Sequence, residues 1–126
     1  MAKKYGLIGY PLGHSMSVEI HKKFFAESQT DARYHLRELS KLDAHAVSQL
    51  RNEFDGFNCT IPYKQQVIPF LDGLDDTARR FNAVNTVVNR EGRLTGYNTD
   101  AAGLRYALSK AEIDLKNKRV LVLGAG

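Results

Sequence analysis

The chain is poor in cysteine, in proline and in long apolar runs, and each shortage excludes a class of protein. Cys59 is the only cysteine in 126 residues, so neither a disulfide framework nor a thiolate metal cluster is available, and a reducing compartment is expected. Three prolines are scattered singly and 25% of residues are charged, which fits neither low complexity nor disorder. Nothing approaches the ~20 apolar residues of a membrane span. The basic opening Met1-Ala2-Lys3-Lys4-Tyr5 lacks the apolar stretch of a signal peptide, so the protein is read as cytoplasmic, with no membrane partner. Lysine and arginine are spread along the chain without basic runs. The formal charge of +4 therefore favours a small carboxylate or phosphate ligand over nucleic acid.

What is present suffices for one ordered core: 126 residues, 43% of them apolar, need no metal or disulfide. Tyr5 to Ile8 reads as a buried strand closed by Gly9, Pro11 and Gly13. A helix capped by Ser15 or Ser17 follows, with Met16, Ile20 and Phe24 on its apolar face beside Phe25. Ala32 to Leu39 is a second strand. Ser40 and Asp43 form a capping pair for a helix carrying Leu42, Ala46, Val47 and Leu50. Gly56 to Thr60 is a third strand, and Pro62 sits at the start of a helix running from about Tyr63 to Leu71. After a small helix near Asp75 to Phe81, strands Val84 to Asn89 and Leu94 to Asn98 flank the hairpin loop Arg90-Glu91-Gly92-Arg93. Thr99 or Asp100 caps a last helix reaching about Ala111. Arg119 to Leu123 reads as one more buried strand, bounded by Gly124-Ala125-Gly126. The first three strands are far enough apart for helical crossovers and hence parallel, whereas the late hairpin makes the sheet mixed. The fold class is α/β: a three-layer sandwich with a mixed, mostly parallel sheet flanked by helices.

Polar residues gather where these strands end, which is where open α/β sheets bind ligands. Ser15 and Ser17 place two hydroxyls at a helix N-terminus, suited to an anion or simply to capping. Asn58 and Thr60 alternate on the third strand, and Lys64 follows at a helix start, where the helix dipole disfavours a cation. A lysine there is either a solvated surface residue or a proton donor tuned by burial. Asn85-Thr86 and Asn98-Thr99-Asp100 repeat the theme, with Asp100 also serviceable as an N-cap. The ending Val-Leu-Val-Leu-Gly-Ala-Gly opens like a dinucleotide-binding fingerprint but carries neither its third glycine nor its later ribose contact.

In this order the segments resemble the shikimate dehydrogenase family through nearly the whole chain. The resemblance rests on the Ser15-x-Ser17 pair, on Asn58-x-Thr60-x-Pro62-x-Lys64, on Ala83-x-Asn85-Thr86, and on Asn98-Thr99-Asp100 with Gly103. Val18 stands where the family usually has proline, and Asn82 where it commonly has glycine. The resemblance implies NADPH-dependent reversible reduction of 3-dehydroshikimate to shikimate, a step of aromatic amino-acid biosynthesis. It makes Lys64 and Asp100 the catalytic pair, gives the substrate carboxylate to Ser15 and Ser17, and adds Asn58, Thr60 and Asn85 to the binding set. It implies no metal. NADP would meet Gly124, Ala125 and Gly126 only in a longer chain. On this view residues 1–112 form a substrate-binding domain and 113–126 a linker with the first strand of a truncated NADP-binding Rossmann domain. The isolated chain is expected to be inactive, and a homodimer belongs to the full-length form. Two alternatives remain: a quinate/shikimate dehydrogenase using NAD, or a free-standing, non-catalytic small-acid binding domain.

Overall fold

In the computed structural model, residues 1–124 are described. Strand β1 (Lys3–Gly9), helix α1 (Ser17–Glu27), β2 (Ala32–Glu38), α2 (Ala44–Glu53) and β3 (Gly56–Cys59) come first. Then follow α3 (Tyr63–Gln66), a 3-10 turn (Ile68–Phe70), β4 (Gly73–Leu74), α4 (Asp76–Phe81), β5 (Thr86–Arg90), β6 (Arg93–Tyr97) and α5 (Asp100–Lys110). One six-stranded sheet runs in the order β2-β1-β3-β5-β6-β4. β1 pairs in parallel with both β2 and β3, β5 is antiparallel to β3 and β6, and β4 is parallel to β6. Only β5 therefore runs against the other five. The sheet is mixed and mostly parallel, as expected for this α/β chain.

Alternation along the strands divides the residues between two faces. Ile8, Phe57, Cys59, Val87 and Leu94 point to one face, where Val47 and Leu50 of α2 and Tyr63 and Val67 complete the core. The other face carries α1, whose Phe25 ring stacks on Tyr5 at 5.7 Å. β1 leaves the sheet tightly: a Cβ built on Gly9 would lie 2.5 Å from Thr60 Cγ2, so only glycine lets the ends of β1 and β3 come this close.

Several local expectations are corrected. Met16 occupies the N-cap position of α1 without a side-chain hydrogen bond, and Ser15, one residue earlier, accepts from the Ser17 N–H at 3.2 Å, so of the two serines it is Ser15 that satisfies a free N–H of the first turn. The anticipated apolar face of α1 is offset by one residue. Met16, Ile20 and Phe24 are exposed, whereas His21 and Phe25 face the sheet and pack on Tyr34 and Tyr5. α2 starts at Ala44, capped by Asp43, which accepts from Ala46 N at 2.9 Å; Ser40 takes no part in the cap. The helix expected from Tyr63 to Leu71 breaks after Gln66 into a 3-10 turn, since Pro69 has no N–H to continue the ladder. β5 begins at Thr86 rather than Val84, and the two-residue strand β4 had no visible signal. The hairpin loop is only Glu91-Gly92, with φ of 53° and 84°, the backbone of a type I′ turn. The strand expected at Arg119 to Leu123 does not form: Val120 to Leu123 pair with no described strand and lie exposed. No helix among the described residues is long and apolar enough to cross a membrane.

Candidate functional site

The reversed direction of β5 assembles the site. β1, β3 and β6 finish at one edge of the sheet, and β5, running the other way, starts there. Asn85, just before β5, thus meets residues that follow β3 and β6, although in sequence it looked like another strand end. Across the ladder Asn58 stands opposite Thr86, and Thr86 opposite Tyr97.

Lys64 Nζ lies 2.7 Å from Asp100 Oδ2, and Asn85 Nδ2 takes the other carboxylate oxygen, Oδ1, at 3.0 Å. The same Nδ2 donates to Thr99 Oγ1 at 2.8 Å, while Asn85 Oδ1 accepts from Thr99 N at 3.0 Å and from Thr86 Oγ1 at 2.9 Å. Asn98 holds the start of α5 from below: its Oδ1 accepts from Asp100 N at 2.9 Å, and its Nδ2 donates to Ala83 O at 3.1 Å. Asn98 is the buried polar residue of this edge, 6% exposed. Val84 N donates to Lys64 O at 2.7 Å, tying α3 to the segment before β5.

Burial does not set Lys64 apart. Its side chain is 35% exposed and that of Asp100 53%, so the pair adds less than about 1 kcal/mol to stability. What the pair does is aim an ammonium and a carboxylate at the same open edge. Cys59, immediately beneath, differs: burial pushes its thiol up to about 12, with Lys64 pulling weakly the other way. It is a core residue.

The remaining expected residues are distributed around this centre. Asn58 joins it directly, since Nδ2 donates to Asn85 O and to Thr86 Oγ1, each at 3.1 Å. Thr60 follows β3 on the same edge, and among the described residues its hydroxyl makes no hydrogen bond. Ser15 and Ser17 lie beyond the end of β1 at the head of α1, and Ser17 approaches the centre through a residue the motifs did not flag, Tyr34. The Tyr34 hydroxyl donates to Asn58 Oδ1 at 2.7 Å, and its ring stacks on His21 at 3.9 Å. Burial pushes the phenol up, partly offset by the neighbouring Ser17 hydroxyl. The one available signal was a tyrosine in an alternating edge strand, with a hydroxyl that needs a partner once the ring is covered. Thr99, expected as a cap and within the Asn98-Thr99-Asp100 motif, both accepts from Asn85 Nδ2 and donates its N–H to Asn85 Oδ1. Gly124 is exposed, with φ of +93° and nothing within 4 Å of a built Cβ; Ala125 and Gly126 lie outside the described residues.

A cavity of about 410 Å³ opens on the α1 face beside Tyr5, Phe25 and Tyr34, and it touches the centre through Asn58 and Thr86. Lys64, Asn85 and Asp100 are outside it. Charged and amide groups converge instead on the strand-end edge.

A family model describing the shikimate dehydrogenase substrate binding domain matches residues 7–87. This chain belongs to that family. It is 48% identical over its whole length to the NADP(+) shikimate dehydrogenase of Geobacillus kaustophilus, covering 47% of that protein. Among solved structures it resembles the Thermus thermophilus shikimate 5-dehydrogenase in complex with NADP(H) and shikimate. There the TM-score is 0.84 at 32% identity, covering 90% of this chain and 44% of that one. The Listeria monocytogenes shikimate 5-dehydrogenase in complex with shikimate and NAD gives 0.83 at 35% identity, with 90% and 40% covered. The chain spans about half the length of the curated relatives it matches.

Proposed function

We propose that this chain is the substrate-binding half of an NADP-dependent shikimate dehydrogenase, which reversibly reduces 3-dehydroshikimate to shikimate. The observation that carries the reading is the shared carboxylate of Asp100, held by Lys64 on one oxygen and by Asn85 on the other. A polyhydroxylated cyclic acid needs a row of fixed donors and acceptors for its hydroxyls and an anion site for its carboxylate. Asn58, Thr60, Asn85 and Asp100 supply the first along the edge, and Ser15 and Ser17 the second. A ketone becoming an alcohol requires a proton and stabilisation of developing negative charge at its oxygen. Lys64 Nζ has three N–H bonds, of which Asp100 takes one, so the others remain to meet that oxygen.

In a longer chain that also carried a cofactor domain, NADP would supply or accept the hydride. Gly124, the one described residue of the expected NADP contact, is exposed, and a Cβ built on it meets nothing within 4 Å. The part assigned to this chain is orientation of the acid and handling of the proton. On this reading the division is a substrate domain over 1–112 and the beginning of a cofactor domain from 113, and the isolated chain binds the acid without oxidising NADPH.

The second reading, a dehydrogenase that also accepts quinate and uses NAD, is favoured by the NAD complex of the Listeria relative. Titrating the labelled chain with shikimate and with quinate, followed by amide NMR and repeated on Lys64→Ala, separates the readings. Saturable shifts at Ser15, Ser17, Thr60, Asn85 and Asp100 for shikimate alone support the first, and equal response to quinate supports the second. A folded chain silent to both acids at high millimolar concentration defeats substrate binding by this half.

A further inference from the structure

We propose that Tyr34 is a positioning residue, whose phenol holds the amide oxygen of Asn58 and so keeps that side chain in place within the hydrogen-bond chain that ends on Asp100. The proposal rests on the shikimate-binding reading of that chain. The backbone oxygen of Asn85 can only accept, so Asn58 must turn Nδ2 toward it at 3.1 Å. Asn58 Oδ1 is then aimed at Tyr34, which donates at 2.7 Å. With Nδ2 also donating to Thr86 Oγ1, the single Thr86 proton is directed to Asn85 Oδ1 at 2.9 Å. That leaves Asn85 Nδ2 facing Asp100 at 3.0 Å. The backbone oxygen of Asn85 and the Thr99 N–H thus set the direction of every donor in the series Asn58, Thr86, Asn85, and the Tyr34 phenol is the terminal donor that fixes where Asn58 sits.

Position matters as much as polarity. Tyr34 is on β2 and Asn58 on β3, so the phenol spans the intervening β1, held flat by His21 at 3.9 Å with an interplanar angle of 13°. His21 is itself anchored by its Nδ1 to Ser17 O at 2.8 Å. Tyr34 therefore joins the helix that carries Ser17, expected to meet the acid's carboxylate, to the strand that carries Asn58, expected to meet its ring hydroxyls. The distance between the two ends of the ligand site is set through this side chain.

Tyr34→Phe keeps the ring and its stacking and removes only the hydroxyl. The expected result is a folded chain in which the Asn58 and Asn85 side-chain amide signals move and exchange faster, with shikimate bound roughly three- to tenfold more weakly, the worth of one net hydrogen bond. In an Asn58→Ala background the same change is expected to cost nothing further, because the phenol acts through Asn58. Equal losses in both backgrounds, or unmoved Asn58 and Asn85 amide signals, overturn the proposal. The amide signals need no ligand, so they decide the matter even where shikimate fails to bind and the functional reading falls. Should Tyr34→Phe not fold, 3-fluorotyrosine at position 34 keeps shape and hydroxyl, and its stronger donor is expected to shift the Asn58 amide; no shift is equally fatal.

Discussion

Lys64 Nζ stands 2.7 Å from Asp100 Oδ2 across 36 residues of sequence, one group delivered after β3 and the other after β6. Because both are half-exposed, the contact is worth little to the fold, and its consequence is the placement of charge. Asp100→Asn is expected to weaken shikimate binding by about tenfold or more, the loss of a charge-assisted hydrogen bond, while thermal stability changes by less than about 1 kcal/mol. Calorimetric titration beside a melting curve checks both, and a large stability loss with intact binding would sink the assignment.

Lys64→Met tests the proton. In a longer protein carrying this half, kcat is expected to fall by roughly 10² to 10⁴, the range for loss of a positioned acid, with shikimate affinity changed far less. A comparable drop in affinity alone would make Lys64 a binding residue only.

Asn58 is more deeply committed to the protein than Lys64. Asn58→Ala removes the acceptor of the Tyr34 hydroxyl and one of the donors to Asn85 O and to Thr86 Oγ1, which keep the Cys59 N–H and Asn85 Oδ1 respectively. Urea unfolding is expected to show a loss of about 1–3 kcal/mol. A change within about 0.5 kcal/mol would mean that water replaces the amide.

Acid should unfold the chain through its caps and turns. The carboxyls of Asp43, Asp72 and Asp75 are held below their ordinary 3.8, chiefly by the Ala46 N–H, the Leu94 N–H and the Thr77 hydroxyl respectively. A depressed folded value means that the stabilisation is fully present above about 3.8 and is lost as pH falls through the folded values. Circular dichroism is expected to be level from neutrality to about pH 4 and to decline below it, with Asp75→Ala moving the decline to higher pH. An unchanged acid midpoint in that variant would contradict the role of the α4 cap.

Cys59 offers a probe of intactness. With its thiol pushed up to about 12 by burial and only 2% exposed, it should resist a disulfide reagent at pH 8 in the folded chain and react at once in denaturant. Fast reaction without denaturant would show that β3 opens readily.

The polar residues that meet at this edge could be picked out in the sequence because they come in short motifs of fixed spacing: Asn58 to Lys64, Asn85-Thr86, Asn98 to Asp100. The strand and helix order was legible for a related reason, since apolar alternation and capping residues are local signals. The apolar run Val120 to Leu123 shows the limit of that reasoning. Its composition is that of a buried strand, yet a strand needs a ladder to pair with, and no described strand lies beside it.

Side-chain periodicity and turn chemistry act within a few residues, and they are enough to specify an α/β chain with its polar groups at strand ends. Long-range packing is what makes β5 run backwards and so brings Asn85 to the carboxylate of Asp100. It also decided that Tyr34 crosses β1 to reach Asn58, and that α1 turns His21 and Phe25 inward instead of Ile20 and Phe24. These depend on which strands become neighbours and on the rotation of a helix over a sheet, quantities fixed by packing between residues far apart in the chain.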